Sequence, residues 1–316
     1  MLHHAVRVPA TTANLGPGFD ALGAAVGRWL VAGSTDRQAT RVTTSGEGAG
    51  EVATDDDNLV WRSLERFCAA HDVAVPDVSL RVTNDIPLER GLGSSSAAIV
   101  AGLALGRALT GVAVGDLDLV RLAAEIEGHP DNVAPAVLGG FVSCAATPTG
   151  DLVVRRAQPA PTTGVVVAVP GSRQATSEAR AALPATLPRG EVAIQAARAS
   201  HVTGAFTGLW PGDPAVAGDV LHEPPRLEVM RASGALLGEL RGAGIHAWLS
   251  GAGPTVAAVV PLLDAAPRDL VIRIATTHGF DASALDWDLA GSLVCPDGGC
   301  AVSGVGGCAT CPRARL

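Results

Sequence analysis

The run Gly91-Leu92-Gly93-Ser94-Ser95-Ser96-Ala97 constrains the fold of this chain more than any other feature. It follows a strand-like stretch, 78–83, through Pro87-Leu88-Glu89-Arg90. It opens a helical stretch, 94–109, where Ile99, Leu103, Leu105 and Leu109 recur near helical spacing until Gly111. Passing from strand to helix through so short a loop implies a mixed α/β or α+β architecture. Glycines let such a loop turn tightly and approach a ligand. The first helical N–H groups lack partners within the helix, and with the helix dipole they make an anion site. Three consecutive hydroxyls add donors, one of which can reach a metal held by phosphates. The ordinary alternative is a serine N-cap. The loop is not a Walker A sequence, since no Gly-Lys-Ser/Thr occurs. Nor is it the dinucleotide fingerprint, whose third glycine is Ser96 here.

The 316 residues suggest two domains, or one large one, at roughly 150 residues each. Composition changes over 147–164, which holds three prolines, so a boundary is expected near residue 150. The expected division is 1–150, 151–294 and a Cys/Gly-rich tail, 295–316. A hydrophobic fraction of 47% excludes disorder of the whole chain. Twenty-three Lys plus Arg against 31 Asp plus Glu leave a net charge of −8, which argues against a general nucleic-acid binder. A local basic pocket for a small anion stays open. The long uncharged stretch 247–263 is broken by Gly251, Gly253, Pro254 and Pro261 and is shorter than the ~18–20 apolar residues a membrane span needs. The first residues lack the apolar run of a secretory signal. These points predict a cytoplasmic protein with no membrane partner.

Further strands are expected at 5–9, 41–44, 141–144, 165–169, 247–249 and 256–260. Helices are expected at 58–70, 116–127 (with Asp116 as N-cap and Gly128 as stop), 191–210 and 226–241. Cys68 and Cys144 lie in apolar contexts and read as buried thiols.

Two further stretches, VRVPATTANLGPGFDALG (6–23) and WLSGAGPTVAAVV (248–260), flank the serine loop in the sequence. In this order the three resemble the motifs of the GHMP kinases, the family of galactokinase, homoserine kinase, mevalonate kinase and phosphomevalonate kinase. The matches run from residue 6 to residue 260. Asn14-Leu15-Gly16-Pro17-Gly18-Phe19-Asp20 resembles the homoserine kinase branch. Mevalonate kinases usually carry a Lys in this region, and 6–23 contains none.

The resemblance implies an α+β, two-domain GHMP kinase fold. Its N-terminal domain would be ribosomal-S5-like and bind nucleotide; its C-terminal domain would be a ferredoxin-like α/β domain. It implies ATP as co-substrate, Mg²⁺, and L-homoserine as the small-molecule substrate. The 87–97 loop would hold the phosphates. Glu127 would be the Mg²⁺ carboxylate, with Ser95 as hydroxyl partner and Ser96 as the near alternative; Mg²⁺ suits one or two carboxylates plus phosphates and water. Asn14 and Asp20 would contact the amino acid, since an Asp pairs with an ammonium and an Asn amide serves a hydroxyl or carboxylate. Taken alone, both read as ordinary turn formers. Thr176, Arg180 and Arg226 would take the substrate carboxylate, for which the arginine fork is suited. Asp131 and Asn132, in His129-Pro130-Asp131-Asn132, would shape the pocket, with Asn132 orienting the hydroxyl. Phosphoryl transfer through a loose transition state needs mainly positioning and charge neutralisation, so no strong protein base is required. His129 is expected to be a turn residue. Gly251 to Pro254 would support the phosphate loop.

Three alternatives stay open. One is another GHMP kinase acting on a mevalonate-pathway or shikimate substrate, and one is a non-catalytic ligand sensor on the same fold. The third is a metal-binding interaction protein centred on Cys295, Cys300, Cys308 and Cys311, which read as free thiols in a flexible tail or as zinc ligands. Homodimers are common among relatives, but the sequence locates no interface.

Overall fold

The computed structural model describes residues 3–295. The chain opens with β1 (Ala5–Asn14), β2 (Gly18–Asp36) and β3 (Val42–Gly46), then α1 (Leu59–Ala70) and β4 (Val78–Asn84). Three helices follow, α2 (Ser94–Thr110), α3 (Asp116–Glu127) and α4 (Pro130–Leu138), then the hairpin β5 (Phe141–Ala146) and β6 (Leu152–Ala157). The second half runs β7 (Thr163–Val169), α5 (Thr176–Ala181), α6 (Arg189–Phe206), a 3₁₀ turn at Pro214–Val216, α7 (Glu223–Val229) and α8 (Arg231–Gly242). It ends with β8 (Ala247–Leu249), β9 (Val256–Pro261), α9 (Ala265–Thr277), β10 (Asp281–Leu285) and β11 (Leu293–Cys295).

The strands form two sheets. The first has the order β11-β1-β2-β4-β3, with β5 pairing on β2 and β6 on β5; the second has the order β10-β7-β9-β8. This is the α+β architecture that the resemblance implies. The 147–151 turn joins β5 to β6, which pair from Phe141↔Ala157 to Ala146↔Leu152, so a boundary at residue 150 would split one hairpin. We propose the division at 158–162 instead. The second half does not end cleanly either, because β11 returns to pair with β1 through Ala5↔Cys295.

α2 is apolar on almost all sides and, as a helix at the centre of a domain must be, is buried from Ser96 to Gly106 except at Ala98, which lines a cleft. α1 packs Trp61, Leu64 and Phe67 into the same core and is capped by Asn58, whose side chain accepts from the Val60 N–H. Helix α3 is capped by Gly115 rather than Asp116, which lies in the first turn and favours the helix dipole from there. The expected 226–241 helix is two helices, broken at Met230 (φ −104°, ψ 57°). Cys68 and Cys144 are buried free thiols; burial pushes Cys68 up and Cys144 up to about 12. Among the described residues no helix is long and apolar enough to cross a membrane. Of the tail cysteines, Cys300, Cys308 and Cys311 lie outside the described residues; Cys295 is disulfide-bonded, not a free thiol.

Candidate active site

Both halves of the chain line one cleft of about 760 Å³, within the ~300–1,000 Å³ usual for small-molecule sites. The glycine-serine loop lines one part of it. Helix α2 starts at Ser94 with Gly93 as N-cap, and no side chain caps it. The serine N-cap alternative is therefore not realised, and the first N–H groups are left for an anion. Gly91 and Gly93 are required here: both have positive φ (74° and 68°). A Cβ on Gly91 would lie 2.1 Å from the Ser250 carbonyl, and one on Gly93 2.0 Å from Thr11 Oγ1. The third motif packs on the loop, with Ser250 Oγ donating to the Gly91 carbonyl (2.6 Å).

Of the loop residues, Leu88, Glu89, Arg90, Gly91, Gly93, Ser94, Ser95 and Ser96 line the cleft; Pro87, Leu92 and Ala97 do not and are buried. Arg90 donates from Nε to the Pro170 carbonyl (2.9 Å) and from Nη2 to that of Gly171 (2.9 Å), tying the loop to the end of β7.

Helix α3 ends at Gly128 and carries Glu127 to the loop. Ser95 Oγ (2.6 Å) and Ser96 Oγ (2.8 Å) both donate to Glu127 Oε1. Ser96 is buried and Ser95 faces the opening, which separates the two candidates. One carboxylate and one hydroxyl are hard oxygen donors, and together with phosphate oxygens and water they fit Mg²⁺.

At the other end, the β1–β2 turn presents Asn14 and Asp20, both with positive φ (70° and 55°), as Asn and Asp tolerate better than most residues. Asn14 Nδ2 donates to the Gly251 carbonyl (2.8 Å). Asp20 accepts a bidentate pair from Arg180 on α5, Nη1 to Oδ2 at 2.9 Å and Nη2 to Oδ1 at 2.8 Å. That hydrogen bond is the main cause holding the Arg180 pKa above its usual value. Thr176, at the start of α5, lines the same wall.

Arg226 on α7 is 2% exposed. Its Nε donates to the Ala179 carbonyl (3.2 Å) and its Nη1 to that of Gly251 (3.0 Å). Burial, then the nearby Arg180 charge, lowers its pKa to about 10, so it stays cationic at neutral pH. Both guanidinium carbons lie 5.4 Å from the centre of the Phe19 ring.

Between the two ends sit Asp131 and Asn132, in the first turn of α4 and nearly buried. Thr11 Oγ1 donates to Asn132 Oδ1 (2.8 Å), and Asn132 Nδ2 donates to Asp131 Oδ1 (3.4 Å). His129 Nδ1 meets Asp131 Oδ1 at 2.7 Å. Burial opposes the charged imidazole, but the hydrogen bond and charge of Asp131, with Glu127 and Asp20 beyond, outweigh it and raise the His129 pKa. His129 is therefore part of the cleft's charge network as well as the residue before α4. Asp20, His129 and Asp131 bring their ligand atoms within 4.8 Å of one another.

Sequence reasoning missed Thr11 and Phe19, which carry no charge and sit inside a motif whose polar members drew the attention. It also missed the apolar end of the cleft beyond the loop, at Val52, Leu59, Val60 and Val82. Those residues have no chemical signal until the fold exposes them to the cleft.

Residues 58–140 match the family model of the GHMP kinases N terminal domain. The chain is similar to the homoserine kinase of Streptomyces avermitilis, 41% identical over 300 residues, covering 92% of this chain and 95% of that one. It is as similar to the homoserine kinase of Streptomyces coelicolor, 41% identical over 92% of this chain and 94% of that one. Among solved structures, the homoserine kinase from Cytophaga hutchinsonii shares the fold, with a TM-score of 0.78 at 24% identity, covering 93% of this chain and 98% of that one.

Proposed function

The chain belongs to the homoserine kinases of the GHMP kinase family, and from that premise we propose how its cleft divides the work between ATP and L-homoserine. The enzyme transfers the γ-phosphoryl group of ATP to the side-chain hydroxyl of L-homoserine, giving ADP and O-phospho-L-homoserine, a step toward threonine. We assign the triphosphate to the open start of α2 and the adenine to the apolar end beyond Leu88. Ser95 and Glu127 would hold Mg²⁺, which when bound neutralises phosphate charge. The same reading places the enzyme in the cytoplasm.

The observation that carries the substrate assignment is the Asp20–Arg180 pair. An amino acid is a zwitterion, and this site already holds one carboxylate against one guanidinium at matched distances. Substrate can exchange with it charge for charge: its ammonium takes Asp20, and its carboxylate takes Arg180 and Arg226. The internal pair is 40% and 35% exposed at its two side chains, so solvent screens it and opening it costs little. Arg226 and Asn14 are held by backbone carbonyls and need not move. Neither a mevalonate nor a shikimate substrate would use the ammonium half of this arrangement.

The side-chain hydroxyl would then point toward Asn132 Nδ2, whose amide is oriented by Thr11. Asp131 is engaged with His129, so the hydroxyl proton would go to the transferring phosphoryl group rather than to a protein base. Asn132→Ala should lower kcat about 10–100-fold, the scale of a positioning contact; wild-type turnover would remove this role. The reading as a whole is tested by ADP release with Mg·ATP and a panel of L-homoserine, L-threonine, L-serine, mevalonate and shikimate. Strong selectivity for L-homoserine is expected. Turnover of mevalonate or shikimate instead would overturn the zwitterion site, and tight ATP binding without turnover would point to a sensor.

A further inference from the structure

His222 is fully buried between the two sides of the amino-acid end. Its Nε2 lies 3.1 Å from the Gly16 carbonyl oxygen. Its Nδ1 lies 3.2 Å from Nη1 of Arg226. A carbonyl oxygen only accepts, and a guanidinium only donates. Both contacts are hydrogen bonds in one protonation state alone, the neutral ring with its proton on Nε2 and a lone pair on Nδ1. The ring also stacks on Phe19 with centroids 5.5 Å apart.

These contacts join two parts of the site that are far apart in sequence. Gly16 belongs to the turn that carries Asn14, Phe19 and Asp20, the ammonium side. Arg226 belongs to α7, the carboxylate side. Two backbone carbonyls locate its guanidinium at Nε and Nη1. His222 adds a second acceptor at Nη1. Among the described residues Nη2 meets no protein acceptor, and Arg226 lines the cleft.

We propose that His222 is a positioning residue of the homoserine site, whose neutral, Nε2-protonated ring aims Arg226 at the substrate carboxylate and keeps the 14–20 turn in register with it. The proposal rests on the assignment of Arg226 to that carboxylate.

A pH dependence follows. Asp219 faces the ring from the segment leading into α7, with its Oδ2 3.7 Å from Nε2, and Glu223 from the first position of α7. Arg226 faces it from α7, and the 14–20 turn faces it with the Gly16 carbonyl and the Phe19 ring. Burial lowers the His222 pKa and outweighs the two acids. The ring is therefore neutral at neutral pH and gains its second proton only below the ordinary value of about 6.5. Protonated, it would turn an N–H toward Arg226 and lose the acceptor. Homoserine affinity should fall on that acid side.

The test is steady-state kinetics and thermal melting of the full chain as wild type, His222→Leu, His222→Gln and Arg226→Ala. The substrates are L-homoserine and 3-aminopropan-1-ol, which keeps the hydroxyl and ammonium but has no carboxylate. A Gln offers an oxygen to Arg226 and an N–H to Gly16; Leu offers neither. His222→Leu should raise the homoserine KM at least tenfold, with the ATP KM within twofold and kcat/KM for the carboxylate-free amine within threefold. His222→Gln should restore the homoserine KM to within threefold of wild type. It should also abolish the acid-side rise in that KM. The proposal is overturned if His222→Leu raises both KM values alike or slows both acceptors equally. It is overturned too if His222→Gln keeps the acid-side rise, a measurement that decides the matter even where His222→Leu does not fold. An unchanged homoserine KM in Arg226→Ala would instead overturn the carboxylate assignment. A raised KM there with wild-type values in His222→Leu would remove only the positioning role.

Discussion

At one end, the cleft is made of consecutive residues, Gly91 to Ser96, and the groups proposed to bind phosphate there are the backbone N–H groups at the start of α2. At the opposite end it is made of Asn14, Asp20, Arg180 and Arg226, side chains from elements up to 212 positions apart (226 − 14). At the first end Glu127 is held by two serine hydroxyls, and Glu89 of the loop lines the cleft beside it. The second carries a complete ion pair plus a buried arginine. The chain contains no lysine, so its side-chain cations are arginines and histidines. At the loop, Arg90 is spent on carbonyls of the 170–171 segment, and Arg173 is paired with Glu51 (2.6 Å). One end therefore meets its ligand with dipoles and the other with fixed, opposed charges. Local geometry suffices for the first; only a correct tertiary structure makes the second.

That contrast can be broken at either end. The largest effect should come from Glu127→Gln, which removes the carboxylate that meets the loop serines and lowers kcat by about a hundredfold or more, with the homoserine KM within threefold of wild type. A change confined to the homoserine KM would erase the division between the ends. Next comes Asp20→Asn. It removes the partner of the substrate ammonium and should raise the homoserine KM roughly 10–100-fold, the worth of about 1.5–3 kcal/mol for a charged hydrogen bond. Isothermal titration with ATP should show unchanged nucleotide affinity, and a matching loss there would contradict the assignment. A smaller effect is expected from Arg180→Lys, which keeps the charge and loses the fork. The homoserine KM should rise about tenfold, or roughly 1.4 kcal/mol, and exceed any rise in the ATP KM; the reverse order would remove the clamp.

The smallest effect concerns the His129–Asp131 pair between the two ends. A histidine whose pKa is raised on folding adds stability that is fully present below its unfolded value, about 6.5, and lost as pH rises through the folded value. The melting temperature of wild type relative to His129→Gln should therefore narrow between pH 6 and pH 8.5. A gap that does not vary with pH would mean the pair acts by packing rather than charge.

Several elements were legible because their signals are local. α2 was expected at 94–109 and ends one residue later, because Ile99, Leu103 and Leu105 form a helical stripe and Gly111 stops it. The 247–249 and 256–260 strands were legible as apolar runs bounded by a glycine-rich turn. β2 was not legible. It runs 19 residues through six glycine and alanine positions before Arg28, and it is buried on both faces along much of its length, so no alternation appears. The break at Met230 was hidden because Leu227, Met230 and Leu237, spaced by three and then seven residues, continue one helical face across it. The boundary near 150 was misled by prolines that flank a hairpin as readily as a linker.

By itself the sequence determined the glycine-rich turn at 91–93, the helix it opens, and the residue types gathered in the three motifs, because backbone hydrogen bonding and glycine conformation act over a few residues. Only the tertiary structure decided that Asp20 meets Arg180, that Thr11 turns Asn132, and that His222 lies between Gly16 and Arg226. Those pairings depend on sheet register and domain packing, where a residue's neighbours are chosen by burial of apolar surface across the whole chain.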